Sequence, residues 1–348
     1  MHKNVKPTRR VVGFILMAAA LYSPLAAADA QIYGRAHVSL DSLSDGDDQG
    51  FNVSSNSSRL GFRASLDVAE GLTGFMQLEQ EVRYENGSGN FATRDSYVGL
   101  RGSYGEVRLG FFDTPLKLIS GKIDFFRDQI GETRNVTRLR DVYSGGDFDF
   151  DTRFRNGIHY RSPSINDVTF DVHYATNTDA GANVDGNNND AISTALTWET
   201  RENYLALAYE RKNDTESEAW RAGAGKTFGA WRFNGLVQLA TIKGSTLGTA
   251  QDVSTYGGGA SYKLNSEITL KGQYFIVDAD VIDRSAQMLT VGMDYLWNSS
   301  FRLLLAYART DNENSASYAM SRGGHGAQVT PLAGETPQGF SAGFRFDF

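Results

Sequence analysis

Read two residues at a time, the chain alternates. Successive side chains of a β-strand point to opposite faces, so a segment that is apolar at every second position has one greasy face and one wet face. FRLLLAYART (301–310) sets Phe301, Leu303, Leu305 and Tyr307 against Arg302. EITLKGQYFIVD (267–278) sets Ile268, Leu270, Tyr274 and Ile276 against Lys271 and Gln273. Segments of this kind fall at 31–40, 58–68, 73–84, 95–102, 106–113, 152–162, 167–177, 191–200, 203–212, 219–228, 231–242, 252–263, 267–278, 286–297, 301–310 and 338–348. They predict sixteen strands.

The connections alternate in length. AEGL (69–72), SYGE (103–106), GA (229–230) and NSS (298–300) are tight turns, whereas residues 178–190 and 311–337 are long and polar. Short turns at one end and long loops at the other predict an all-β fold, a transmembrane antiparallel β-barrel. Closure suits lipid because every backbone group finds a partner and no edge is left open. Tyr33, Tyr97, Tyr160, Trp198, Tyr204, Trp220, Trp231 and Trp297 stand near strand ends, where a membrane interface favours rings with a polar tip. The final SAGFRFDF sets Phe344, Phe346 and Phe348 on one face and Arg345 and Asp347 on the other. Such a stripe packs on a core or faces lipid.

Residues 1–30 read as an export signal that is removed. Lys3, Lys6, Arg9 and Arg10 precede an apolar run at 11–22, and Ala28-Asp29-Ala30 offers a small-x-small cleavage pattern. The run is too short for a spanning helix, which needs about 20 apolar residues. Residues 31–348 then form a single barrel domain. The leader carries four Lys/Arg and one Asp, so its loss takes the formal charge from −7 to −10. So acidic a chain is a poor nucleic-acid partner. There is no cysteine, which excludes disulfides, thiolate metal ligands and thiol nucleophiles. The five histidines show no metal-binding spacing. VDGNNND (184–190) lacks the distal Glu of a calcium loop. No metal or cofactor is expected, and no serine is singled out beside a histidine as a hydrolase would require.

QIYGRAHVSLD, SSRLGFRASLDVAEGLTGFMQLEQE, RDSYVGLRGSYGEVRLGFFDTP, NGIHYRSPS and the terminal Phe together give the chain a resemblance to the general diffusion porins of Gram-negative bacteria. The resemblance spans the whole mature chain. It implies a homotrimer of sixteen-stranded barrels in the outer membrane, among lipid and lipopolysaccharide, passing small hydrophilic solutes. It also implies that the third loop, about 114–151, folds inward and narrows the pore, and that Phe344, Phe346 and Phe348 signal to the barrel-assembly machinery.

On that reading the acidic side of the constriction comes from the loop, through Asp124, Asp128, Glu132 and Asp141. The basic side comes from the wall. With Ile32, Val38, Leu60, Phe62, Phe154 and Ile158 facing lipid, alternation sends Arg35, His37, Arg59, Arg63, Arg153 and Arg155 inward, and Arg94 joins them. Arginine suits the role because it keeps its charge beside other cations. The chain departs from the family at Phe111, where members commonly carry Arg. From Asp113 to Asp151 eight acids oppose six Lys/Arg, which favours a weak cation preference. The alternative is a channel preferring an oligosaccharide, along Phe125, Phe126 and Tyr143, or phosphate.

Overall fold

The computed structural model describes residues 28–86, 92–139, 149–179, 189–243 and 249–348. Its strands are β1 (Asp29–Ser44), β2 (Gln49–Ser55), β3 (Arg59–Ala69), β4 (Leu72–Glu81), β5 (Ser96–Gly102), β6 (Gly105–Asp113), β7 (Arg153–Arg161), β8 (Val168–Ala175) and β9 (Ala191–Glu199). The series continues with β10 (Asn203–Lys212), β11 (Ser217–Phe228), β12 (Trp231–Ile242), β13 (Gln251–Lys263), β14 (Ile268–Ala279), β15 (Ala286–Leu296), β16 (Phe301–Asn312) and β17 (Gln338–Asp347). Each pairs antiparallel with its neighbours, and β17 pairs with β1 from Arg35↔Asp347 to Ser44↔Gln338. The sheet is a closed barrel.

Seventeen strands make sixteen staves, because β2 and β3 are two halves of one. Both pair with β1, at Val38↔Ser55 and Arg35↔Arg59, so two residues of β1 face three in the break. Ser57 takes a φ of 51° there, and the Ser58 hydroxyl accepts the His37 N–H at 2.9 Å in place of a backbone carbonyl. A one-residue bulge reverses which side chains face in. Hence Phe51 and Val53 are exposed outward in β2, and Leu60 in β3. The 49–55 segment was outside the sixteen expected strands because serine and asparagine interrupt its alternation.

The outer face is apolar around the ring, with Ile32, Leu40, Val98, Leu109, Leu205, Leu239, Phe340 and Phe344 all exposed. Trp198, Trp220, Trp231 and Trp297 lie on it as expected, and the Tyr160 hydroxyl donates to the Tyr104 carbonyl. Three residues assigned to that belt turn inward instead. Tyr33 donates to Glu79, Tyr97 packs edge-on against Phe112, and Tyr204 is buried beside Ile119 and Gly223.

Phe154 also departs from expectation. It is fully buried against Ala175, Ala191 and His173, on the inner face. The register slips between Gly110↔Gly157 and Phe112↔Phe154, and Asn156 has a φ of 49°. This second bulge inverts the alternation upstream of Gly157.

Inside the barrel, residues 114–139 and 149–152 of the third loop pack on the inner faces of β9–β15. Gly131 fixes the closest approach. Its φ is 67°, its carbonyl accepts from Thr290 Oγ1 at 2.9 Å and Gln273 Nε2 at 3.0 Å, and a side-chain carbon there would collide with Thr290. Gly131→Ala is expected to cost about 2–5 kcal/mol, from left-handed backbone and overpacking together. The readout is a lower unfolding temperature in detergent; an unchanged temperature would mean that the loop does not rest on the wall at this point.

Candidate pore constriction

The inward turn of the third loop begins with a capped helix. Thr114 Oγ1 accepts the Lys117 N–H at 3.3 Å and Pro115 follows at the first helical position, where a missing N–H does no harm. The resulting α1 (Pro115–Ile123) turns Leu116, Ile119 and Ile123 to one side. Those three, with Val136, Leu139 and Phe150, are buried against Ala195, Ala206, Ala208, Ala219 and Ala240 of the wall. Each such side chain contributes roughly 1.5–3 kcal/mol of burial. Small wall residues let the loop lie close, and at Gly223 any side chain would meet Ile119. A short α2 (Arg134–Thr137) follows.

The return of the loop is fastened by one ion pair. Arg221 of β11 and Asp151, both with no exposed side-chain surface, pair at 2.7 Å. The second guanidinium nitrogen reaches the other carboxylate oxygen at 3.0 Å, Gln238 accepts from Nε at 2.9 Å, and the Leu116 carbonyl accepts at 3.1 Å. Every polar atom of the pair is therefore occupied.

The opposite edge of the loop faces β1, β3, β4 and the segment before β5. Asp128 bridges across, to Arg35 at 3.4 Å on the wall and Arg134 at 3.0 Å on the loop. Burial alone would raise its carboxyl, but Arg134, Arg127, Arg59 and Arg94 outweigh that and hold it well below the usual carboxylate range. Glu132, wholly buried, takes Arg134 at 2.8 Å and the N–H groups of Asp128 and Gly324. On the wall Glu79 takes Arg94 at 2.6 Å and Arg59 at 3.5 Å. Arg63 lies over the Tyr33 ring and donates to Gln77.

Of the residues assigned from sequence, the fold brings Arg35, Arg59, Arg94, Asp128 and Glu132 into this one network. Arg63 lies on the turn side of it. Arg153 pairs with Asp95 at 2.5 Å and Asp113 at 3.2 Å on the loop side. Arg155 does not join them. The Asn156 bulge turns it outward, its guanidinium 5.8 Å from the Phe111 ring centroid and beside Leu109 and Ile158. Asp124 lies on the far side of the loop, accepting from Phe126 N, Thr133 N and Gln273 Nε2. Burial, then the charge of Glu132, push its carboxyl up to about 6. Asp141 and Tyr143 lie outside the described residues.

Five of the six described carboxylates between Asp113 and Asp151 are in ion pairs: Asp113 with Lys117, Asp128 and Glu132 with Arg134, Asp149 with Arg138, and Asp151 with Arg221. The cations that hold them in these pairs, Lys117, Arg134, Arg138 and Arg221, were not singled out from sequence. The i,i+4 spacing of Asp113 and Lys117 could have revealed one pair.

The last long loop also folds inward, which the sequence reading, taking it only as long and polar, did not anticipate. Ala316, Tyr318 and Met320 are buried, the Met320 carbonyl accepts from Gly131 N at 2.6 Å, and Asn135 Nδ2 donates to it at 2.8 Å. In this loop Ser321, His325 and the wall residue Asp41 form a row, with Ser321 Oγ 2.9 Å from His325 Nδ1 and His325 Nε2 3.2 Å from Asp41. Ser321 is wholly buried and its hydroxyl donates to the Ala327 carbonyl. The row braces a loop and presents no nucleophile to a substrate.

Water-accessible space remains on both sides of the network. On the loop side a cavity of about 640 Å³ is lined by six Lys/Arg, among them Arg94, Lys117, Arg134 and Arg153, and by four carboxylates, Glu81, Glu85, Asp149 and Asp151. On the turn side a cavity of about 610 Å³ is lined by Arg63, Arg101, Arg108 and Arg161 against Glu106 and, in the chain that keeps residues 1–30, Asp29.

A family profile described as Gram-negative porin matches residues 15–315. The chain is 29% identical over 313 residues to outer membrane porin protein 32 of Delftia acidovorans, covering 84% of this chain and 85% of that one. It is 24% identical over 344 residues to a monosaccharide porin of a Halomonas species, covering 76% and 91% of the two chains. Among solved structures, the anion-selective porin from Comamonas acidovorans matches with a TM-score of 0.81 at 22% identity, over 92% of this chain and all of that one. The trimer form of OmpT from Vibrio cholerae matches at 0.70 with 15% identity, again over 92% of this chain and all of the other.

The two aspartates of the loop should separate in experiment. Asp128→Asn is expected to move the reversal potential in a salt gradient toward anions, whereas Asp124→Asn, aimed at Gln273, leaves it unchanged. Because the Asp124 carboxyl is raised, its stabilisation is present below about pH 4 and lost as pH rises through 6. Asp124→Asn should therefore flatten the pH dependence of unfolding in that window.

Proposed function

This chain belongs to the Gram-negative porin family, and on that premise we propose a water-filled outer-membrane channel with a weak preference for small anions. The observation that carries the preference is the set of side chains lining the water on either side of the network. The count that favoured cations treats every carboxylate between Asp113 and Asp151 as free, yet five of the six described ones are held by cations. What lines the water on either side has more Lys/Arg than Asp/Glu. Charges in a narrow, partly desolvated passage act strongly on passing ions. Similarity to an anion-selective porin supports the same reading.

The remaining assignments go with it. Residues 1–30 are removed as the leader and the rest forms one barrel, three copies of which assemble. Phe344, Phe346 and Phe348 lie exposed on the outer face, available to lipid and, before insertion, to the assembly machinery. Arg155, turned outward near the loop end, is a candidate contact for lipopolysaccharide. The oligosaccharide alternative has less behind it, since Phe126 is wholly buried and Phe125 packs beside it.

Purified protein in a planar bilayer is expected to conduct in groups of three steps, with a reversal potential displaced toward the anion in a potassium chloride gradient. A potential displaced toward the cation would overturn the preference and leave the channel.

A further inference from the structure

We propose that the inner wall at the barrel seam holds a binding site for a small, doubly charged tetrahedral oxyanion, sulfate or hydrogen phosphate, built on Arg302 and Arg345. The proposal rests on the channel reading above and adds to it a place where a solute pauses. Alternation puts both arginines inside. Leu303 and Leu305 of β16 and Phe344 and Phe346 of β17 are exposed on the outer face, so Arg302 and Arg345, at the intervening positions, point to the lumen. The register sets the two directly opposite one another, with Cβ atoms about 5 Å apart. Like charges so placed destabilise a sheet.

No carboxylate stands across from either. On its other side Arg302 faces Leu296, and Arg345 faces His37. Among the described residues Arg302 has no ion-pair partner, and its Nε is buried without a hydrogen-bond acceptor. Arg345 donates from Nε to Asp347 at 2.8 Å, and the other oxygen of Asp347 takes Arg35 Nε at 2.7 Å. One carboxylate thus serves two guanidinium groups while the third has none. Asp128, 3.4 Å from Arg35, is shared with Arg134. A buried N–H left without an acceptor is costly and calls for an explanation. An anion between Arg302 and Arg345 supplies the acceptor and removes the repulsion. Arg35, Arg302, Arg345 and Asp347 are all half-buried, so a solute in the lumen can reach them.

The guanidinium fork decides the ligand class. Its paired N–H groups lie in one plane and match two oxygens of an oxyanion. Two facing forks exceed what the two oxygens of a monocarboxylate accept, and their summed charge suits a dianion. A tetrahedral oxyanion presents an edge of two oxygens to each fork. Arg35, which touches Asp128 of the third loop, links the site to the constriction. A site in a conducting path has to release what it holds, and partial exposure keeps this one open to water.

The test is block of chloride current by sulfate in a planar bilayer at constant ionic strength. Wild-type current is expected to fall along a saturating curve, with acetate giving no such block. Arg302→Gln should raise the half-blocking concentration about tenfold, as loss of one charge-assisted contact implies, and Arg345→Gln should do the same. Either substitution relieves a like-charge pair, so both variants are expected to fold. Hydrogen phosphate at pH 8 is the second arm: saturating block by either dianion supports the site, and block by neither overturns it. Equal block by acetate, or a half-blocking concentration unmoved in both variants, also overturns it. Unfolding in detergent needs no channel. Sulfate should raise the unfolding temperature of wild-type protein more than that of Arg302→Gln, because a bound ligand stabilises only the protein that holds it, whereas general salting acts on both alike. Equal shifts overturn the site. Should no channels form in any salt, the channel reading fails, and the unfolding comparison still decides the site.

Discussion

The Arg221–Asp151 pair holds the third loop inside the barrel, and the shape of the water path follows from it. Two charges taken wholly out of water are costly, and such a pair repays the desolvation only with good geometry and all its hydrogen bonds made. Here the carboxylate is gripped by two guanidinium nitrogens, and Gln238, Ser120 and the Leu116 carbonyl complete the shell. Loss of either partner would strand a buried charge, at a cost of about 3–5 kcal/mol. The loop is therefore a committed part of the interior. It seals one side of the lumen and confines water to the other.

The two halves of the wall differ accordingly. Along β9–β12 many inward positions are small, as in Ala191, Ala195, Ala206, Ala208 and Ala219, because they receive a loop, and the long ones there, Glu210, Arg221 and Gln238, are buried with it. Along β1, β3 and β4 they are long and charged, as in Arg35, Arg59, Arg63 and Glu79, because they meet water. Alternation by itself reports that a face points inward. Whether that face is dry or wet is written in side-chain size.

Much of this was legible in the sequence. Period two located every stave, and counting from Ile32 and Leu60 put Arg35, Arg59 and Arg63 on the face where the structure has them, beside Asp128, Glu79 and Gln77. Where the reading failed, a backbone irregularity or a distant partner was responsible. The bulges at Ser57 and Asn156 each shift the count by one; the first set β2 out of step with β3, and the second reversed Phe154 and Arg155. Net charge misled because pairing is a property of space: Asp151 lies 70 residues from Arg221. The inward fold of the last loop had a faint signal in its apolar Tyr318 and Met320, which an exposed loop has no use for.

The seam carries a consequence of its own. Arg35 and Asp347, 312 residues apart, meet there at 2.7 Å, and the ring of Phe348 lies over the bare backbone of Gly34. A sheet joined by its two extremities keeps both borders unpaired until the final stave arrives, and unpaired strand borders invite wrong partners. Long-range pairing of this kind is also slow to form. Closure of this barrel consequently waits on the meeting of β1 and β17, and until then two raw margins have to be kept from other strands.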